Sequence, residues 1–127
     1  MAKLLIVDDD EICRLILGSI LQDAGHIVLF AHDGEQALEQ LRKHTFDAVL
    51  TDLAMPTMNG LRLVQAMKET GYEMPIIAIS GQNAEQLLLA EDYGAAATLF
   101  KPVDRYAAVD TVQNVLAAAA SYVDPWW

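Results

Sequence analysis

The stretch VLTDLAMPTMNG, Val49 to Gly60, decides how the chain is read. An apolar run with the character of a buried strand ends in a carboxylate, Asp52. A Met-Pro turn and an Asn-Gly pair follow at once. Desolvating an unpaired carboxylate is costly, so Asp52 must face something that compensates it.

Working outward, strand-like and helix-like segments alternate along the whole chain. Short apolar runs predict strands at Lys3–Asp8, Ile27–Ala31, Asp47–Asp52, Pro75–Ser80 and Ala97–Lys101. Between them, 3.6-residue periodicity predicts helices over Glu11–Ala24, Gly34–Lys43, Asn59–Thr70, Ala84–Tyr93 and Asp104–Val123. The expected inward residues are Cys13, Ile16, Leu17, Ile20 and Ala24 in the first helix. They are Ala37, Leu38 and Leu41 in the second, and Leu61, Val64 and Met67 in the third. In the last they are Val109, Val112, Leu116 and Val123. Five such units with near-continuous apolar strands imply an α/β fold: a doubly wound, five-stranded parallel sheet of flavodoxin-like order 2-1-3-4-5, flanked by five helices. The expected domain is 1–123, leaving 124–127 as a tail.

Composition narrows the function. The 127 residues carry 18 acidic and 8 basic side chains, a net charge of −10. That balance argues against direct nucleic-acid binding and against docking on anionic lipid. A single cysteine, Cys13, excludes an internal disulfide and suits a cytoplasmic protein. No apolar run approaches the ~20 residues that span a bilayer, so no membrane insertion is expected.

In a parallel sheet, ligands gather outside the carboxyl ends of the strands. Those ends hold Asp8 and Asp9, then Asp52, Ser80 and Lys101. Taken singly, each has a plain structural reading as a cap or a solvated strand end. Their coincidence at four of five strand ends does not. Carboxylates a few ångströms apart repel by about 3 kcal/mol per pair at an effective dielectric of ~20. A hard divalent cation such as Mg²⁺ compensates them, and Lys101 adds a further positive charge. A metal, an ammonium and a hydroxyl together also stabilise a phosphoryl group, which a central aspartate can accept as nucleophile.

These pieces resemble the receiver domain of two-component response regulators, with its chemotaxis-regulator-like fold. The resemblance is carried by LLIVDDDEICR, DAVLTDLAMPTMNG, PIIAIS and GAAATLFKPVD, and it covers essentially the whole chain. It implies that Asp52 is the phosphoacceptor and that Asp8, Asp9, Asp52 and the backbone carbonyl of Ala54 hold Mg²⁺. It further implies that Ser80 and Lys101 bind phosphoryl oxygens, that a cis bond precedes Pro102, and that Pro56 and Gly60 shape the loop. The implied phosphodonor is a histidine kinase or histidine phosphotransfer protein. The implied output is protein contact through the face of the fourth helix, fifth strand and fifth helix.

Two positions depart from the family pattern. Thr98 stands three residues before the lysine, where receivers usually carry Tyr or Phe, and Gly81 follows Ser80 where alanine is common. Without a large side chain at Thr98, the expected response passes through the Ser80–Ala84 loop and the leucine-rich helix. Of Leu87, Leu88 and Leu89, one inward stripe cannot bury all three. His26, His32 and His44 lack metal-ligand spacing and read as surface or loop residues, and Cys13 reads as core. Trp126 and Trp127 have no evident place in the core.

A receiver forming part of a larger regulator or hybrid kinase is one alternative, although no output domain is expected to follow. A scaffold independent of phosphorylation is another, opposed by the retained Asp8, Asp9, Asp52, Ser80 and Lys101. A phosphatase of the haloacid-dehalogenase type would need an acid two residues past the nucleophile, where Ala54 stands. A flavodoxin-like redox carrier would need a phosphate loop where this chain has DDDE, which repels phosphate.

Overall fold

The central apolar runs become strands buried on both faces of the sheet, while the two edge runs keep exposed side chains at Ile27 and Phe100. The computed structural model describes residues 1–55, 58–81 and 84–120. The strands are β1 (Lys3–Val7), β2 (Ile27–Ala31), β3 (Ala48–Asp52), β4 (Ile76–Ser80) and β5 (Ala97–Phe100). The helices are α1 (Glu11–Asp23), α2 (Gly34–Lys43), α3 (Gly60–Thr70), α4 (Ala84–Asp92) and α5 (Arg105–Ala120). All pairings are parallel, in the order β2-β1-β3-β4-β5. The expected helix end at Val123 and the tail from 124 lie outside the described residues.

Strand alternation divides the core in two. Leu4, Ile6, Leu50, Ile77 and Ile79 pack on the side of α1 and α5, against Leu17, Leu21, Ala108 and Val112. Leu5, Val7, Val49 and Ile76 pack on the opposite side, against Ala37, Leu41, Leu63, Val64 and Met67. No helix among the described residues is long and apolar enough to cross a membrane.

Three inward stripes differ from expectation. In α1 the buried residues are Leu17, Gly18, Ile20 and Leu21, while Ile16 is 57% exposed. Ala24 is an exposed C-cap and Cys13 is half-buried. The cause is Gly18, where an added Cβ would lie 2.6 Å from the Phe30 ring. The helix approaches β2 at this glycine, and the buried face turns toward Leu17 and Leu21. In α3, Leu63 is fully buried, and Leu61 only partly, against the Leu53–Leu87 cluster. In α5 the buried line is Ala108, Val112 and Val115, with Val109 and Leu116 half-buried beside it. Alanine at 108 lets the helix lie close to the sheet. His26 sits in a loop but is half-buried, because the Ala2 N–H donates to its Nδ1 (3.2 Å).

Candidate functional site

The carboxyl edge of the sheet collects the predicted groups. β1 delivers Asp8, β3 ends on Asp52, β4 ends on Ser80, and Lys101 follows β5. Asp8, Asp52 and Ser80 are buried, whereas Asp9 is exposed. One carboxylate oxygen from each of Asp8, Asp9 and Asp52 lies within 4.8 Å of the others. Lys101 Nζ bridges two of these acids, donating to Asp8 Oδ2 (3.0 Å) and Asp52 Oδ2 (3.2 Å).

Local structure explains how Asp8 is held. Its N–H donates to the Ala31 carbonyl (3.1 Å), which anchors the end of β1 on β2. Its Oδ1 accepts from the Asp10 N–H (2.9 Å), and Asp10 in turn caps α1 by accepting from the Ile12 and Cys13 amides. Its own carbonyl accepts from Arg14 Nη1 (2.7 Å).

The turn after β3 wraps on Asp52. The Ala54 N–H points to Asp52 Oδ1 at 3.4 Å, and the Gly60 N–H donates to the Leu53 carbonyl (3.0 Å). A Cβ at Gly60 would stand 2.3 Å from the Asp52 carbonyl oxygen and 2.8 Å from Leu53 Cα. Only glycine permits α3 to begin this close to the site. Pro56 lies outside the described residues. On the other flank, the Lys101 N–H donates to the Ser80 carbonyl (2.9 Å), and the Lys101–Pro102 bond is cis. A Cβ at Gly81 would be 2.9 Å from Lys101 Cβ, so this glycine gives the lysine stem room to cross toward the acids.

The electrostatics follow from this crowding. Burial, then the charge of Asp8, pushes the Asp52 carboxyl above the ordinary aspartate range, and Lys101 only partly offsets them. Burial disfavours the Lys101 charge, but the hydrogen bond to Asp8 and the fields of Asp52 and Asp8 outweigh it, holding the ammonium above the usual lysine range. The donor set is hard, anionic oxygen clustered at one edge, which suits a divalent cation of the Mg²⁺ class.

Thr98 is half-buried in β5 opposite Ala78. Leu87 is buried, while Leu88 and Leu89 are 62% and 43% exposed. Cys13, expected in the core, instead lines an apolar hollow of about 410 Å³ with Ile16, Leu17, Gly81, Lys101 and Pro102. Arg14 stands in the first motif but carries no sign there of the bond it makes to Asp8. Nor does periodicity show that Ile12, Leu15 and Ile16 expose an apolar stripe on α1 beside the site.

A family model described as the response regulator receiver domain matches residues 4–113. The sensory/regulatory protein RpfC of Xanthomonas campestris pv. campestris is 33% identical over 97% of this chain. The aligned part is 18% of that relative, so the chain spans less than a fifth of its length. Among solved structures, the chemotaxis response regulator CheY4 of Vibrio cholerae is similar with a TM-score of 0.81 and 35% identity, covering 91% of this chain and 98% of that one. The receiver domain of NtrX from Brucella abortus gives 0.86 and 28%, covering 90% and 98%. The chain belongs to the response regulator receiver domain family. Receivers of two-component systems are signalling switches.

Proposed function

We propose that this receiver is switched by phosphorylation of Asp52. The observation that carries the reading is the Lys101 ammonium held between the carboxylates of Asp8 and Asp52, with Asp9 in the same cluster. An Asp52 oxygen attacks the phosphorus of a phosphohistidine, the P–N bond breaks, and the imidazole leaves with its electron pair. Lys101 then exchanges its carboxylate partner for a phosphoryl oxygen, and Ser80, at the end of the neighbouring strand, binds another. Asp8, Asp9, Asp52 and the Ala54 carbonyl would hold Mg²⁺, which supplies charge neutralisation at the transferring group. Water later attacks the phosphorus of the acyl phosphate, the P–O bond to Asp52 breaks, inorganic phosphate leaves and Asp52 returns to its carboxylate form.

The donor is a histidine kinase or histidine phosphotransfer protein. Its helical surface is matched by the exposed Ile12, Leu15 and Ile16 and by the hollow beside Cys13. Output runs through protein contact at α4, β5 and α5, where Leu88, Leu89, Phe100 and Tyr106 are exposed apolar groups. Place of action is the cytoplasm, where such kinases present their phosphohistidine.

Incubation with acetyl phosphate and Mg²⁺, followed by intact-mass measurement, tests the reading. Wild type should gain one phosphoryl group, whereas Asp52→Asn, or wild type in chelator, should gain none. Equal phosphorylation of the variant would refute it.

A further inference from the structure

Among the described residues, Asp8 takes part in four hydrogen bonds, and three of them have an evident purpose. The bond to Ala31 closes the sheet, the bond from Asp10 shapes the turn, and the bond from Lys101 belongs to the acidic cluster. The fourth comes from Arg14, half-buried in the second turn of α1, whose Nη1 donates to the Asp8 carbonyl at 2.7 Å. That carbonyl lies past the last residue of β1, where the ladder supplies no further partner. The peptide it belongs to joins Asp8 to Asp9, so its orientation sets where both carboxylates point.

We infer that Arg14 is a positioning residue: by holding the Asp8 carbonyl it fixes the peptide between the two N-terminal acids and aims both at a divalent cation. The inference rests on the reading of Asp8, Asp9 and Asp52 as a Mg²⁺ site. Charge and position make opposite demands here. A guanidinium near a cation site repels the cation, so if charge were its only influence, removing it would tighten Mg²⁺ binding. A group that orients metal ligands from outside the coordination sphere does the reverse, and its loss weakens binding, commonly by about tenfold or more.

The test is calorimetric Mg²⁺ titration of the full chain as wild type, Arg14→Gln and Arg14→Lys, with hydrogen exchange of the Asp10 amide in chelator. Asp10 N–H reports the turn directly through its bond to Asp8 Oδ1, with no metal present. Arg14→Gln should bind Mg²⁺ roughly tenfold more weakly than wild type. Arg14→Lys, which keeps a donor and the charge, should fall between them. The Asp10 amide should exchange faster in Arg14→Gln while the core amides of β1 stay protected. Unchanged or tighter Mg²⁺ binding in Arg14→Gln overturns the inference and leaves the metal site standing. Absence of any saturable Mg²⁺ response in wild type overturns both. If Arg14→Gln does not fold, wild-type affinity and wild-type Asp10 exchange in Arg14→Lys overturn it.

Discussion

Replacing Asp52 with asparagine should stabilise the metal-free protein. The side chain keeps its shape and can still accept a hydrogen bond from Lys101, but it sheds a charge the fold holds at a cost. At separations of no more than 4.8 Å and an effective dielectric of ~20, each carboxylate–carboxylate pair costs about 3.5 kcal/mol or more. Lys101 at 3.2 Å returns about 5 kcal/mol on the same scale. The balance stands about 2 kcal/mol against the charge, and solvent around the exposed Asp9 reduces it, so a gain of about 0.5–2 kcal/mol is expected. With a urea slope of about 2 kcal/mol per molar, the midpoint should rise by roughly 0.3–1 M. The assay is urea unfolding followed by circular dichroism, in chelator and again in Mg²⁺. Metal binds the folded wild type and stabilises it by mass action, so the gap should shrink when Mg²⁺ is added. The raised Asp52 pKa fixes the sign of the pH dependence. Protonation favours the fold, so the stability linked to this group is full below the ordinary aspartate range and is lost as pH rises through the elevated value. The advantage of the variant is therefore greatest near neutrality and disappears in acid. An asparagine variant less stable than wild type in chelator, or a gain that Mg²⁺ leaves untouched, would refute the reasoning.

Gly60→Ala should cost about 1–3 kcal/mol, because the new Cβ meets the backbone of Asp52 and Leu53 rather than a movable side chain. Thermal unfolding beside the wild type measures this, and an unaffected variant would mean the turn after β3 is slack. Burial, with the nearby terminal amine, holds the His26 pKa below its usual value, and its Nε2 is buried with no hydrogen-bond partner among the described residues. The stability linked to His26 is thus present above the ordinary histidine pKa and lost as pH falls through and below it. The urea midpoint of His26→Gln should fall less between pH 7 and 5 than that of wild type, and parallel pH profiles would contradict this. Beryllofluoride should shift backbone NMR signals in α4 more than those around Thr98. Partner binding should survive Thr98→Ala and weaken in Leu88→Ala or Leu89→Ala, and the opposite pattern would dismiss α4 as the output element.

The fold and the central acids were readable because buried parallel strands are apolar runs, and a charge that ends one is conspicuous. Asp52 after AVLT and Asp8 after LLIV stand out on that ground alone, and the strand limits fall within a residue of those expected. Residues that act through size or through backbone were not readable. Gly18 turned the buried face of α1 away from Ile16, because a periodicity argument counts apolar side chains and passes over the glycine that sets the approach. Gly81 stands out in the sequence only as a glycine where alanine is common, whereas it clears space for the Lys101 stem, a neighbour twenty residues away that only the sheet brings close. Arg14 was invisible as a site residue because its partner is a carbonyl, which every residue possesses. Of the three leucines, helical geometry required at least one outward, and two are.

The central claim, that Asp52 is the acceptor, is tested most directly by locating the phosphoryl group. An acyl phosphate, unlike a carboxylate or a serine phosphate, is reduced by borohydride to the alcohol, which turns the acceptor aspartate into homoserine. After treatment with acetyl phosphate and Mg²⁺, reduction and peptide mass spectrometry should find homoserine at position 52 and nowhere else. Homoserine at position 8 or 9, or a phosphoryl group retained on Ser80, would contradict the account.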